Sequence, residues 1–192
     1  MIAALFVDAD GAYAGMPDVD CWHIGRDARR YPGEGPVIAH PPCQRWGRYA
    51  FRSEPGADEG CFASALASVR RWGGVLEHPA YSHAWLAHGL PWPPSEGGWQ
   101  RDLSGGWCSH VEQGHYGHFA RKPTWLYALG ARTPDLIWGP APQRLPAYAV
   151  ERYGYEKARR IGVMAAVGGK DKTKIRAATP PAFRDVLLEM VR

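Results

Sequence analysis

The sequence predicts an α/β fold, read as a single domain over residues 1–192. Three observations carry this. Apolar runs of strand length recur at residues 2–7, 37–39, 74–76 and 123–129. Between the second and third, Phe62, Ala65, Leu66, Val69 and Trp72 stand at helical spacing over residues 61–72. A strand, a helix and a strand in that order make a βαβ unit, for which parallel pairing and a right-handed crossover are expected. The 192 residues suffice for one substantial core and leave little room for a second.

The elements follow in chain order. Residues 2–7 read as a buried strand, and Asp8-Ala9-Asp10-Gly11 as the turn that leaves it. Gly11 and Gly15 lack the GxGxxG spacing of a dinucleotide site. Residues 25–31 are charged and loop-like. The proline- and glycine-rich run 32–36 precedes the strand 37–39, which ends in His40-Pro41-Pro42-Cys43-Gln44. A polar, aromatic loop to residue 60 carries Arg45, Trp46, Arg48, Tyr49, Phe51 and Arg52. Gly73-Gly74 stops the helix, and the next strand runs into Glu77-His78-Pro79. Periodicity then fails from 80 to 121, where tryptophans alternate with prolines and glycines; an irregular, aromatic-rich insertion is expected there. Residues 123–129 form another strand. A proline-rich stretch to 146, a charged helix over about 151–164 and a basic loop at 168–174 follow. Pro181 opens a closing helix with Phe183, Val186, Leu187, Met190 and Val191 on one face.

Composition narrows the function classes. The chain has 23 Lys and Arg against 19 Asp and Glu, a mildly basic balance that suits a polyanionic partner without demanding one. No run approaches transmembrane length, and the four cysteines have no disulfide-framework spacing, so a cytoplasmic protein with reduced thiols and no membrane partner is expected. Cys108, His110, His115 and His118 match no strong zinc spacing, and no metal site is expected.

Chemistry concentrates at two strand ends. Cys43 follows two prolines that fix its direction, which suits a nucleophile as well as a buried inert thiol. Glu77 ends the next strand. It reads as a solvated loop acid or as a proton donor whose pKa partial burial raises.

Pro41-Pro42-Cys43-Gln44 resembles the catalytic PCQ motif of DNA cytosine-C5 methyltransferases, and Glu77-His78-Pro79 their Glu-Asn-Val/Pro motif. Tyr116-Gly117-His118 with Arg121-Lys122-Pro123-Thr124-Trp125-Leu126-Tyr127 is similar to a segment of the small, phage-type members. Arg176-Ala177-Ala178-Thr179-Pro180-Pro181 is similar to the final motif of the family. The resemblance implies a reduced, Rossmann-like methyltransferase sheet acting on a cytosine base in DNA, flipped out or single-stranded. Cys43 would attack C6, Glu77 would partner N3, and S-adenosylmethionine would supply the methyl group. Gln44, Arg45, Trp46, Arg48, Lys122, Thr124 and Arg176 would meet substrate or DNA; Asp8, Asp10, Asp27 and Thr179 would meet the cofactor. A homodimer would complete a small catalytic half.

The chain also departs from that pattern. Phe-x-Gly-x-Gly is missing after the first strand, and only about thirty residues separate that strand from the next one quoted, so the donor-binding part is reduced. A pyrimidine-C5 enzyme with another donor or a nucleotide substrate stays open, since thymidylate synthases also attack C6 with a Pro-Pro-Cys cysteine. So does an inactive DNA-binding remnant.

Overall fold

A computed structural model of the chain describes residues 1–47, 50–54, 56–161, 163 and 172–192, without the side chains of Arg52 and Lys172. Seven strands, β1 Ile2–Leu5, β2 Val19–Trp22, β3 Val37–Ala39, β4 Gly74–Pro79, β5 Trp99–Arg101, β6 Trp107–Glu112 and β7 Pro123–Leu129, form one sheet. Their order is β2-β1-β3-β4-β7-β6-β5. The first four are parallel, and β7, β6 and β5 continue the sheet in antiparallel pairing. The helices are α1 Cys61–Trp72, α2 His83–Ala87, α3 Ala147–Tyr153, α4 Tyr155–Ile161, α5 Lys172–Ala177 and α6 Pro181–Val191.

Strand residues alternate between two buried faces, because successive side chains on a strand point opposite ways. Ala3, Leu5, Val37, Ala39, Leu76, Trp125 and Tyr127 pack with Phe62, Ala65, Leu66 and Val69 of α1. Ile2, Ala4, Ile38, Val75, Leu126 and Ala128 pack with Phe183, Leu187, Leu188 and Met190 of α6. A sheet covered on both faces explains why β1 and β3 are apolar at every position rather than at alternate ones.

The order of connections positions the site. From β1 the chain goes to β2 on one side and to β3 on the other, so the strand order reverses between β1 and β3. Connections leave the carboxyl ends of these two strands in opposite directions, which opens a crevice where α/β sheets place ligands.

Four expectations are corrected. The stretch 80–121 is not irregular: it contributes α2, β5 and β6. Its hairpin is closed by Asp102, whose carboxylate accepts from Ser104 N at 2.9 Å and Gly106 N at 2.6 Å, a turn chemistry readable in Asp102-Leu103-Ser104-Gly105-Gly106. Its tryptophans divide between the layers, Trp85 with the α1 core and Trp99 against the α6 core. A strand, β2, lies between the turn at 8–11 and the charged segment 25–31, where no element is expected; four half-buried residues, Val19-Asp20-Cys21-Trp22, are too few to show an apolar run or a clean alternation. The first strand stops at Leu5, because Phe6 has left-handed backbone (φ 59°). The helix expected over 151–164 begins at Ala147 and breaks at Gly154 (φ 72°), and residues 162 and 164 lie outside the described residues. Among the described residues no helix is long and apolar enough to cross a membrane.

Gly74 is where the β3–β4 pairing is most crowded. A Cβ there would lie 1.9 Å from the Val37 carbonyl oxygen, on a backbone with φ of 135°. Gly74→Ala is expected to lower stability by more than about 2 kcal/mol, read as a fall in urea midpoint. Gly56→Ala (φ 79°, no neighbour within 4 Å) should cost only the backbone strain, about 1 kcal/mol.

Candidate active site

The register of β3 against β4 builds the site. Ile38 pairs with Val75 and Ala39 with Leu76, so the next residues along, His40 and Glu77, stand opposite each other at the strand ends. Both continue the face that Ile38 and Val75 present to α6. His40 Nδ1 and Glu77 Oε2 are 2.8 Å apart. His40 N also donates to Leu5 O at 3.0 Å, which extends the β1–β3 pairing to the imidazole.

The buried Glu77 carboxylate has two further supports. Gln113, 0% exposed on the turn after β6, donates from Nε2 to Glu77 Oε1 at 3.0 Å and to Thr124 Oγ1 at 3.0 Å. The Thr124 hydroxyl gives its own proton to Lys122 O at 3.0 Å, so both atoms facing Gln113 Nε2 are acceptors and the amide orientation is fixed. On the other side, Tyr13 Oη lies 2.9 Å from His40 Nε2. A continuous chain of hydrogen bonds, Tyr13–His40–Glu77–Gln113–Thr124, thus crosses from the loop after β1 to β7.

Charge decides the state of this chain. Burial pushes the Glu77 carboxyl up, but the His40 hydrogen bond and the charges of His40, Lys122 and His78 outweigh it and hold the group at about 2. The expected proton donor with a raised pKa is therefore corrected: without substrate Glu77 is a carboxylate, because the His40 hydrogen bond and the positive charge beside it outweigh burial. Lys122, in left-handed backbone at φ 48°, donates from Nζ to Ala177 O at 2.7 Å and Ala178 O at 2.8 Å. It draws the α5–α6 connection to the site. Burial lowers the pKa of Lys122, while Glu77 and Cys43 raise it.

Cys43 is exposed in the turn that leaves β3, and Trp46 N and Gly47 N both donate to its carbonyl at 3.0 Å. Desolvation by surrounding protein and the Glu77 charge push its thiol up; Lys122 acts the other way. Its titration is thus coupled to both Glu77 and Lys122. Beneath the turn lies His78, 0% exposed, on the α1 face against Phe62 and Trp85. Burial drives its imidazole down to about 4, against the opposing pull of Glu77 and of the Pro42 carbonyl, and among the described residues neither ring nitrogen has a partner in hydrogen-bonding geometry.

The other predicted site residues divide. Gln44 is exposed and Arg45 half-buried beside Cys43, with Arg45 5.9 Å from the Trp46 ring. Trp46 is not the open stacking surface expected of a base acceptor: its indole N–H is held by Asp58 at 2.9 Å, and its ring packs on Phe62 and His88. Thr124 is fully buried and supports Gln113 rather than reaching outward. Arg176 is half-buried in α5, and Arg48 lies outside the described residues. Of the cofactor set, Asp8 and Asp10 are exposed in the turn after β1, where Asp10 pairs with Lys174. Asp27 is occupied by Arg29 and caps a 3-10 turn, and Thr179 is half-buried before α6. Cys108 is buried in the core, Trp125 Nε1 donates to His110, and His115 and His118 meet the carbonyls of Gly139 and Ala120. Among the described residues no three His, Cys, Asp or Glu gather in a way that could hold a metal ion.

Tyr13, His40 and Gln113 escape the sequence reading. His40 was legible as the residue before the double proline. Tyr13 and Gln113 sit in loops with no pattern to mark them. No family model, curated protein or solved structure matches the chain.

Two windows of acid destabilisation follow. His78, lowered from 6.5 to about 4, stays neutral in the native state while the unfolded chain takes a proton, so stability is lost as pH falls from about 6.5 to about 4. Glu77, lowered from 4.5 to about 2, stabilises fully above about 4.5 and loses that contribution as pH falls towards about 2. Urea midpoints measured from pH 7 to pH 3 should lose their upper slope in His78→Leu and their lower slope in Glu77→Gln. Each slope is worth at most about 3 kcal/mol.

Proposed function

We propose that the chain is a cytosine-C5 modifying enzyme that acts on DNA through a covalent Cys43–C6 adduct. One observation carries this reading: Cys43 and Glu77 leave the carboxyl ends of two adjacent parallel strands, beside the point where the strand order reverses. A thiol and a buried, oriented carboxyl at one sheet edge are the two groups that C6 addition requires. The quoted motif resemblances agree with it.

The step balances on this chain's own residues. Once Cys43 has lost its proton, Sγ bonds to C6, the C5=C6 pair shifts through C4 to N3, and N3 takes a proton from the Glu77 side. C5 is then nucleophilic and can exchange its hydrogen with solvent or accept a carbon electrophile. Loss of the C5 proton to solvent, departure of Sγ and return of the N3 proton to Glu77 restore the ring. Lys122 lowers the cost of the thiolate and fixes the α5–α6 connection over the site.

S-adenosylmethionine is the donor we propose, and it would supply a methyl group to C5. The fit rests on Asp8, a carboxylate in the turn at the β1 end of the crevice with no hydrogen bond or ion pair among the described residues, suited to ribose hydroxyls. Asp10 and Asp27 are less suited, since Lys174 and Arg29 already neutralise them.

Two features support a DNA partner. Residues 147–177 hold eight Lys and Arg against three Asp and Glu, a net +5 that exceeds the +4 of the whole chain. A shallow groove of about 500 Å³ beside the Cys43 turn, lined by Arg45, Phe51, His83 and Leu86, offers cationic and apolar contacts to an extruded nucleotide.

Release of tritium from DNA carrying 5-tritiocytosine tests the adduct without any donor. Wild-type protein is expected to release it, Cys43→Ser to fall to background, and Glu77→Gln to slow release at least about 10²-fold. Release from deoxycytidine monophosphate but not from DNA would move the substrate to a nucleotide. No release from either, in folded wild-type protein, would sink the reading.

A further inference from the structure

We infer that His40, backed by Tyr13, is the proton store of Glu77: it sets the charge of that carboxylate and hands it the proton that N3 of the pyrimidine receives. The inference rests on the proposed pyrimidine chemistry for its destination, but on geometry for its mechanism.

The pyrimidine reaction poses the problem. An unprotonated N3 must gain a proton as C6 is attacked, and a carboxylate has none to give. Glu77 is held as a carboxylate in the resting site, so a proton must reach it from a neighbour within hydrogen-bond reach. Gln113 cannot supply one, because its amide does not titrate. The only titratable group hydrogen-bonded to Glu77 among the described residues is His40, at 2.8 Å.

The tautomer follows from the partners. An ionised carboxylate only accepts, so His40 Nδ1 carries the hydrogen. When the ring is doubly protonated, Nε2 donates to the Tyr13 oxygen at 2.9 Å. Transfer then breaks Nδ1–H and forms Oε2–H, leaving a neutral imidazole whose remaining proton still faces Tyr13. Glu77 passes its proton to N3 as the Cys43 Sγ–C6 bond forms. Removal of the C5 proton to solvent and loss of the thiolate leave N3 protonated. N3 returns its proton to Glu77, and Glu77 Oε2 returns it to His40 Nδ1, which restores neutral cytosine and reloads the imidazole.

Burial keeps the store private. His40 and Glu77 side chains are 13% and 10% exposed, and Tyr13 is 2% exposed. Burial and the Glu77 charge push the Tyr13 phenol well above its ordinary range, so Tyr13 orients the imidazole and does not ionise. The other groups that face this pair are Lys122, His78 and Cys43 around Glu77, and Arg184, Asp185 and Cys21 around Tyr13. Lys122 and His78 oppose protonation of Glu77 but make no hydrogen bond to it, so His40 is the group through which its proton can pass. His40 is a positioning residue in this account, since it acts through Glu77.

The test reads Glu77 directly, by NMR titration of protein labelled at the glutamate carboxyl carbons, with Glu77→Gln identifying the resonance. His40→Asn keeps a donor to Glu77 but cannot titrate, and Tyr13→Phe keeps the packing but removes the hydroxyl. His40→Asn is expected to raise the Glu77 midpoint by at least about one pH unit, a tenfold change in proton affinity, and Tyr13→Phe to raise it less. In the tritium-release assay wild-type protein is expected to lose activity along an alkaline limb of its pH profile, which His40→Asn should abolish and Tyr13→Phe should shift. An unmoved Glu77 midpoint in His40→Asn overturns the inference whatever the activity. An unchanged alkaline limb overturns the proton hand-over even if the midpoint moves. If the midpoint moves but wild-type protein releases no tritium from any pyrimidine, the hold of His40 on Glu77 stands and the proposed function falls separately.

Discussion

Taking a carboxylate out of water costs several kcal/mol unless hydrogen bonds and opposite charge replace the lost hydration. Glu77 is 8% exposed, and the geometry around the sheet edge answers that cost. His40 is brought opposite by the β3–β4 register. Gln113 reaches it from the turn after β6, Thr124 and the Lys122 carbonyl fix the Gln113 amide, and Lys122 adds a positive charge. These groups come from three separate stretches of chain, at 40, 113 and 122–124. Moving β3, β4, β6 or β7 by a residue would break the hydrogen bonds of a buried charge or a buried amide, so the carboxylate also specifies the register of this part of the sheet.

The two faces of the sheet are used differently at that edge. On the α6 side, His40, Glu77 and Tyr13 form a hydrogen-bonded polar chain. On the α1 side, His78 is packed among Phe62 and Trp85 with no well-formed hydrogen bond. Adjacent residues, Glu77 and His78, thus meet opposite environments because a strand sends them to opposite layers. Both pKa values are depressed, for opposite reasons: in His78 desolvation does it directly, and in Glu77 the His40 hydrogen bond and neighbouring charge outweigh a desolvation that raises it. The native state loses stability in acid through both.

Cys43 stands apart from this rigid frame. It is exposed, its thiol is pushed up, and among the described residues the charge that favours its ionisation is Lys122. The resting site therefore keeps a thiol rather than a thiolate. Its reactivity depends on whatever neutralises Glu77, because that carboxylate is the charge opposing ionisation. Protonation of Glu77 by its neighbour would remove this opposition, and in the proposed reaction the same proton would go on to N3, linking the two halves of C6 addition.

The sequence by itself determined the parallel strand–helix–strand around residues 37–79, the strand at 123–129 and the closing helix from Pro181. It also singled out Cys43 and Glu77 as strand-end residues. These are local matters: periodicity, prolines and paired glycines act within a few residues of where they stand. Tertiary structure decided the rest. β2 is a half-buried edge too short to show a pattern, and β5 and β6 are recognisable only when β7 is beside β6 to extend the sheet. Trp46 and Thr124 look like substrate contacts in the chain and become supports once Asp58 and Gln113 are in place. The charge of Glu77 was least accessible of all: burial alone predicts a raised pKa, and only the arrival of His40 and Lys122 from distant segments reverses it. Electrostatic state is a sum over neighbours in space, and a sequence does not say which neighbours those are.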